Sequence, residues 1–266
     1  MESVDIDPSG AYQGVAAAWH RGPAVLYDRL ARVTIAAVAD QLRGATVVDV
    51  GAGTGALCRA LRAAGAIPVA VDMAPDMLRM VGDAAALSVT ADMCALPFAD
   101  AGTDAAVSGF AISHIEAPEL ALAEMRRAVR PLGRVIAAVF GAAPASGAKD
   151  VIDNVAGDFG YRQPAWYSKL KNVTEPRSNT PALLRACAES AGLEAIDIAD
   201  VTVDSGLETP ETITAYRTGL AHIAPWVTSL AAPVRMAFIE HAVAAVRDRD
   251  QPVRPRILVL SSRVPA

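Results

Sequence analysis

A short β-branched strand that runs directly into a glycine-rich loop is the feature that most constrains this fold. Residues 45–50 are mostly β-branched and are apolar except for Thr46 and Asp49. This pattern predicts a buried strand. Gly51-Ala52-Gly53-Thr54-Gly55 follows, and apolar residues then recur at helical spacing up to Gly65. Glycines at such a junction let the backbone turn tightly and approach a ligand closely. We therefore expect strand, ligand-binding loop and helix in one unit.

Strands and helices continue to alternate along the chain. The pattern predicts strands at 67–71, 86–90, 104–108, 132–140, 194–203 and 257–262, with helices at 117–129 and 181–191. This alternation indicates an α/β fold with a doubly wound, mostly parallel sheet covered by helices on both faces. The apolar fraction of 53% is ample for such a core.

The same pattern divides the chain into six segments. They are N-terminal helices that form part of a lid (1–43), a cofactor-binding α/β core (44–140), a lid insertion (141–178), a core helix and strand (179–206), a helical insertion (207–255) and a closing strand (256–266). Gly22-Pro23 predicts a break between two N-terminal helices, and Pro225 and Pro233 predict breaks in the helical insertion.

Charge and cysteine content narrow the classes of partner. A net charge of −5 with dispersed arginines argues against a nucleic-acid acceptor, which needs a basic patch. Three widely spaced cysteines fit reduced thiols in the cytoplasm, and we find no metal-ligand spacing, so we expect no metal. Neither a signal peptide nor a long apolar run is visible, so no membrane partner is expected.

Three aspartates fall at the predicted carboxyl ends of successive strands, where doubly wound sheets bind ligands. Asp49 precedes the glycine loop, where a carboxylate opposes a pyrophosphate but suits a cationic ligand. Asp72 can accept hydrogen bonds from ribose hydroxyls, and Asp92 can accept one from an adenine amino group. Each aspartate alone also fits a turn or a cap. Together with the glycines they indicate a cationic adenosyl ligand.

The segments that carry these residues resemble the motifs of class I S-adenosylmethionine-dependent methyltransferases. The resemblance covers about residues 44–140, through Val48 to Gly55, Val71 to Leu78, Ala91 to Met93 and Arg130 to Arg134. It implies a seven-stranded, Rossmann-like methyltransferase fold, with S-adenosylmethionine as cofactor and S-adenosylhomocysteine as product. One departure is Leu132, where this family usually has a glycine.

The resemblance also implies roles for individual residues. The glycine loop would contact the amino-acid end of the cofactor, Asp72 the ribose, Met73 the adenine ring, and Asp92 with Met93 the adenine edge. Phe110 would lie near the methionine moiety. The full set of implied cofactor-binding residues is Asp49, Gly51, Ala52, Gly53, Gly55, Asp72, Met73, Met77, Asp92, Met93 and Phe110.

Candidates for the reacting end are histidines and lid aromatics. A hydroxyl acceptor would benefit from a general base, for which we consider His114, His20 and His222, although each also suits packing. Tyr12, Trp19, Trp166 and Trp226 lie outside the core and predict an aromatic pocket for a flat or apolar small molecule.

Four functions are compatible with these patterns. The leading one is a methyltransferase, monomeric or homodimeric, that acts on a small molecule, such as a specialised metabolite, at oxygen, nitrogen or carbon. The others are a non-methylating enzyme of the same fold, such as a cyclase, and a non-catalytic cofactor-binding partner. The fourth is a nicotinamide dehydrogenase: Gly51, Gly53 and Ala56 also fit a dinucleotide fingerprint, but Asp49 and the lack of a catalytic constellation after the sheet disfavour it.

Overall fold

A computed structural model describes residues 8–142, 147–248 and 253–266. These residues form one seven-stranded sheet in the order β3-β2-β1-β4-β5-β7-β6. The strands are β1 (Thr46–Val50), β2 (Ile67–Asp72), β3 (Leu87–Thr90), β4 (Thr103–Gly109), β5 (Val129–Phe140), β6 (Glu194–Thr202) and β7 (Arg256–Arg263). The first five pair in parallel, while β7 runs antiparallel between β5 and β6. The predicted doubly wound, mostly parallel sheet is confirmed.

Helices cover both faces of this sheet. They are α1 (Pro8–Ala11), α2 (Ala16–Arg21), α3 (Pro23–Ile35), α4 (Ala56–Ala63), α5 (Pro75–Arg79), α6 (Pro118–Ala128), α7 (Gly147–Asp158), α8 (Ala165–Lys169), α9 (Pro181–Ser190), α10 (Pro210–Thr218), α11 (Ala224–Ser229) and α12 (Ala232–Arg247). A π-helical turn (Leu170–Thr174) follows α8 directly.

The two cores follow from the period-two alternation of the strands. On β1, Val47 belongs to the core shared with α3, α4, α7 and α12, and Val48 to the core shared with α6 and α9. Since both faces are covered, β1 reads as a continuous apolar run broken only by Asp49. Pro225 and Pro233 lie in the first turns of α11 and α12, where a missing N–H has no cost.

The strand order reverses beside β1, with β2 on one side and β4 on the other. At such a reversal the connecting helices leave to opposite faces, so a crevice opens at the carboxyl ends of the two strands. The candidate site lies there. Parts of three predicted segments, residues 1–7, 143–146 and 249–252, lie outside the described residues. Within the described ranges, none of the helices combines the length and apolar character that a membrane span needs.

Candidate functional site

A cavity of about 540 Å³ opens at the carboxyl ends of β1, β2 and β4. Its volume lies within the range of small-molecule sites, about 300–1,000 Å³. One part is bordered by the glycine loop and by the aspartates of β1 and β2, and another by aromatic side chains from α1 to α3, from α8 and from the end of β4. The predicted site residues that line it are Tyr12, Trp19, Asp49, Gly51, Ala52, Gly53, Asp72, Met73, Met77, Met93, Phe110, His114 and Trp166.

The glycine loop adopts a conformation that other residues rarely reach. Gly51, Gly53 and Gly55 all have positive φ, at 74°, 54° and 84°. A Cβ at Gly51 would lie 2.3 Å from the Cβ of Ala111, and one at Gly55 would crowd Val81. A Cβ at Gly53 would meet nothing within 4 Å. Gly53 therefore leaves open space along the cavity, where a ligand can approach the backbone.

Asp49 is a buried carboxylate at the base of the cavity. It is fully enclosed, and its Oδ2 accepts a hydrogen bond from the Cys58 thiol at 3.1 Å. Its Oδ1 is buried and has no hydrogen-bond partner among the described residues. Burial and, to a smaller extent, the nearby charge of Asp72 together raise the pKa of Asp49 to about 7. An orphaned carboxylate oxygen of this kind calls for a hydrogen-bond donor or a cation from a ligand.

Asp72 is the last residue of β2, and its carboxylate links the end of this strand to the glycine loop. Its Oδ2 accepts from the Gly53 N–H at 2.7 Å, and its Oδ1 accepts from the Ala74 N–H at 2.8 Å. Burial raises the pKa of Asp72, while these two backbone hydrogen bonds lower it. A carboxylate held in this way presents its remaining lone pairs to the cavity, where hydroxyl groups can donate to them.

Aromatic side chains form the other wall of the cavity. Phe110 has φ of +62°, which is rare for a bulky residue, and its N–H donates to the Ala138 carbonyl at 2.7 Å. Its ring packs against Phe140 at 4.6 Å and against Tyr27 at 5.6 Å between centroids. Tyr27 in turn contacts Trp19 at 4.8 Å. Strained backbone clusters at functional sites, and here it accompanies a ring on the cavity wall.

His114 lies beside this wall and contacts Tyr12. The Tyr12 hydroxyl is 3.4 Å from His114 Nδ1, and the two rings are 5.6 Å apart. Burial lowers the pKa of His114 to about 4, and the positive charge of Lys171 acts in the same direction. Burial also raises the pKa of Tyr12. Both groups are therefore neutral near pH 7, and the imidazole is available to accept a proton.

These residues fit a cationic adenosyl cofactor. The open backbone at Gly53, the orphaned oxygen of Asp49 and the accepting carboxylate of Asp72 match an amino-acid end and a ribose. Residues 48–137 match the model of a family described as "Methyltransferase domain". The chain carries a class I S-adenosylmethionine-dependent methyltransferase domain. The family resemblance seen in the sequence is thus confirmed.

Curated relatives share this domain over part of their length. A demethylmenaquinone methyltransferase of Clavibacter sepedonicus is 33% identical over 144 residues, which are 51% of this chain and 59% of the relative. A second enzyme of that name, from Renibacterium salmoninarum, is 38% identical over 100 residues, 36% of this chain and 42% of the relative. The chain thus spans about half the length of the curated relatives that it matches.

A solved structure extends the likeness to the whole fold. The (4+2)-cyclase SpnF superposes with a TM-score of 0.56 at 19% identity, covering 90% of this chain and 81% of SpnF. At this identity the likeness shows the fold alone.

Five of the residues predicted for the site lie outside the described lining of the cavity. His20 is exposed on α2, and Gly55 is buried against Val81 as the cap of α4. His222 is buried and stacks on Tyr167 at 3.7 Å between centroids. The remaining two are Asp92 and Trp226.

The placements of Asp92 and Trp226 have simple physical reasons. Asp92 is exposed, and its Oδ1 accepts from the Cys94 N–H at 2.8 Å, which is the turn-forming use of aspartate. Trp226 packs between Tyr161 and Phe238, at 5.2 and 5.0 Å between centroids, so it joins the helical insertion to the lid insertion. The predicted aromatic wall therefore has Tyr27 where the sequence suggested Trp226.

Three features of the site were missed by the sequence reading. Tyr27 lies on α3, within a pattern that predicts an ordinary helix. Glu116 and Lys169 form an ion pair of 2.7 Å on the cavity lining. The Cys58 thiol contacts Asp49 from α4, nine residues along the chain. A Cys at the third position of the helix after the loop is the only signal that pointed there.

Proposed function

We propose that this chain transfers a methyl group from S-adenosylmethionine to a small, flat, largely apolar acceptor. The supporting observation is one cavity that joins the glycine loop and two aspartates to a wall of aromatic rings. A cofactor on the loop side would face an acceptor on the aromatic side. Such an arrangement serves in-line displacement, in which the acceptor must lie opposite the leaving sulfur.

The cofactor-binding roles follow the geometry of the loop. S-adenosylmethionine supplies an activated methyl group on a positively charged sulfur. In our proposal Gly51 to Gly53 bind its amino-acid end, Asp49 faces its positive charge, and Asp72 binds the ribose hydroxyls. Met73, Met77 and Met93 pack on the adenine. The chain itself aligns the reactants and excludes water.

His114 is our candidate for proton transfer. Burial lowers its pKa to about 4, so the imidazole is neutral at pH 7 but a weak base, and it would take up the proton of a hydroxyl acceptor once bond formation to the methyl group makes that hydroxyl strongly acidic. Tyr12, at 3.4 Å from Nδ1, holds the ring in place. A neutral amine or an acidic carbon can react without such a base, so the dependence on His114 reports the acceptor atom.

The lid segments would shield the reaction. The N-terminal helices contribute Tyr12, Trp19 and Tyr27, while α8 and the π-helical turn contribute Trp166, Leu170 and Thr174. Both segments flank the same cavity, so we propose that they close over the bound acceptor. Exclusion of water by such a lid protects the activated methyl group.

The aromatic wall of the cavity favours one class of acceptor. Flat rings on Trp19, Tyr27 and Phe110 favour stacking or edge contacts with a planar molecule. Lys169, the cation on the described lining, is paired with Glu116, which disfavours a strongly anionic acceptor. Reduced demethylmenaquinone, the quinol suggested by the name of one relative, is therefore our first probe, and phosphoethanolamine is the contrasting probe.

The test is incubation of the purified protein with methyl-labelled S-adenosylmethionine and each probe, followed by detection of S-adenosylhomocysteine. We expect turnover with a planar acceptor and none with phosphoethanolamine. For a hydroxyl acceptor, His114→Ala should lower kcat about 100-fold or more, whereas His241→Ala on the far helix α12 should not. Conversion of an acceptor without S-adenosylhomocysteine formation would instead support a non-methylating enzyme.

A further inference from the structure

The Cys58–Asp49 pair is a buried polar contact that the proposed reaction does not use. Both side chains are fully enclosed, with 0% of each exposed. The Cys58 thiol lies 3.1 Å from Asp49 Oδ2, and burial beside the Asp49 carboxylate raises the pKa of the thiol. Cys58 therefore stays protonated and acts as the hydrogen-bond donor. Oδ1 of Asp49, a residue of the cavity lining, is left without a hydrogen-bond partner among the described residues.

We infer that Cys58 is a positioning residue that holds Asp49 for the positively charged end of the cofactor and makes cofactor binding depend on loss of the Asp49 proton. The inference rests on the proposed function, since it concerns the same cofactor. It assigns the thiol a role through Asp49, without contact to the cofactor itself.

The contact between the thiol and Oδ2 sets the orientation of the Asp49 carboxylate. A carboxylate on a strand end can rotate about χ2, which exchanges the two oxygens. The thiol fixes Oδ2 and leaves the other oxygen, Oδ1, buried and unpaired on a residue that lines the cavity. A cationic group placed beside Oδ1 would give this buried carboxylate oxygen the partner that it lacks among the described residues.

The groups around Asp49 determine how readily it loses its proton. Three groups act on Asp49: Cys58 from α4, Asp72 from β2 and Arg59 from α4. Asp72 disfavours ionisation of Asp49, whereas the Cys58 hydrogen bond and the Arg59 charge favour it. Burial outweighs both favourable contributions, so the pKa of Asp49 stands at about 7 in the free protein. A cation binds the ionised form better, so binding below pH 7 must expel a proton.

The experiment measures S-adenosylmethionine affinity by calorimetry between pH 5.5 and 8.5, in pairs of buffers with different ionisation enthalpies. The enthalpy difference between buffers counts the protons released. For the natural chain we expect affinity to rise with pH, to level off above about pH 7 and to be accompanied by proton release below it.

Three substitutions separate positioning from packing. Cys58→Ala removes the donor and should move the midpoint up by about one pH unit, with about tenfold weaker binding at pH 6. Cys58→Ser keeps a donor and should stay close to the natural midpoint. Cys187→Ala, at a half-buried thiol away from the cavity, is the matched control. Thermal unfolding of each variant verifies that it is folded.

Two results would overturn the inference. One is a pH-independent affinity of the natural chain, and the other is an equal midpoint for Cys58→Ala, Cys58→Ser and the natural chain. A failure of the natural chain to bind S-adenosylmethionine at any pH would instead remove the proposed function itself. If Cys58→Ala does not fold, the Cys58→Ser midpoint and the proton count of the natural chain still decide the question.

Discussion

Asp49 sets cofactor binding against the stability of the free protein. Its pKa is raised from 3.8 to about 7 in the folded chain, so its contribution to stability is complete below pH 3.8 and is lost as the pH rises to 7. Asp49→Asn removes this dependence. We expect the free energy of unfolding of the variant, relative to the natural chain, to grow between pH 5 and 7.5 by roughly 1.4 kcal/mol per pH unit at most.

Urea unfolding at pH 5, 6 and 7.5 measures this difference, and the same variant should bind S-adenosylmethionine more weakly. Parallel pH profiles for the natural chain and Asp49→Asn would show that the carboxylate is ionised in the fold at all three values. That result would contradict the electrostatic account of Asp49.

Gly53 and Gly44 form a matched pair for separating backbone strain from cofactor contact. Both have positive φ, at 54° and 75°, and a Cβ at either would meet nothing within 4 Å. Alanine at each should therefore lower stability by a similar amount, about 1–2 kcal/mol. Only Gly53→Ala should also weaken cofactor binding, because its methyl group enters the cavity. Equal affinities in the two variants would count against a cofactor on the loop.

Leu132 is strained where the family usually has glycine. Its φ is +62° and its side chain is 58% exposed, so little packing offsets the strain. Left-handed backbone costs a non-glycine residue about 1–2 kcal/mol, and a glycine loses about 0.5–1 kcal/mol in chain entropy. Strain wins, and Leu132→Gly should raise the free energy of unfolding by about 0.5–1 kcal/mol.

Leu120→Gly is the control for this substitution. Leu120 is 55% exposed, as Leu132 is, but it lies within α6, where glycine should lower stability by about 1 kcal/mol. Chemical unfolding should move the two variants in opposite directions. Destabilisation by Leu132→Gly would mean that the leucine makes a contact worth more than the strain.

At the same scale, the sequence predicts a residue only where local chemistry is decisive. The glycine loop and Asp72 are legible because a strand end, a tight turn and an acid coincide along the chain. The Cys58–Asp49 contact and the left-handed φ of Phe110 are not, since each depends on how separate elements are packed. Asp92 shows the converse, because a strand-end aspartate also suits a simple turn.

At the scale of elements, a buried ion pair joins helix α10 of the helical insertion to helix α7 of the lid insertion. Arg217 of α10 is 5% exposed and contacts both carboxylate oxygens of Asp153 on α7, at 2.8 and 2.5 Å. Removing one partner of a buried pair costs about 3–5 kcal/mol, and the lower end applies here because Asp153 is a third exposed. We expect Arg217→Met to lower the free energy of unfolding by about 3 kcal/mol.

Arg247→Met tests whether burial is the cause. Arg247 pairs with Glu211 at 3.3 Å, but both side chains are more than half exposed, so its loss should cost at most about 1 kcal/mol. Calorimetric unfolding compares the two variants. Equal losses would show that the Arg217 pair is as weak as a surface contact.

The elements of the core were predictable to within a few residues, and the reason is local. The central strands β1, β2 and β4 are short and largely apolar runs and the helices show their own periodicity, so both can be recognised without their neighbours. The insertions were predictable only as helical. That Trp226 faces Phe238 and Tyr27 faces the cavity depends on how α3, α11 and α12 pack in space, which the periodicity of each helix does not determine.

At the scale of the whole molecule, the cavity is assembled from distant parts of the chain. Residues from Tyr12 to Thr174 line it, and Tyr12 of the N-terminal segment lies 6.2 Å from Trp166 of α8 between ring centroids. The sequence predicts that both segments contribute to a lid, and this remains a prediction. The position of β7 between β5 and β6 was not predictable, because strand order follows from packing of helices that the pattern does not orient.

The central claim is that this cavity binds S-adenosylmethionine through the strand-end aspartates. The most direct measurement is a calorimetric titration of the natural chain and of Asp72→Ala with S-adenosylmethionine and, separately, with NAD, using the exposed Asp83→Ala as control. We expect one S-adenosylmethionine per chain, no tight binding of NAD, and a loss of about 1.5–3 kcal/mol in Asp72→Ala alone. Tight binding of NAD without S-adenosylmethionine, or an unchanged affinity in Asp72→Ala, would contradict the account.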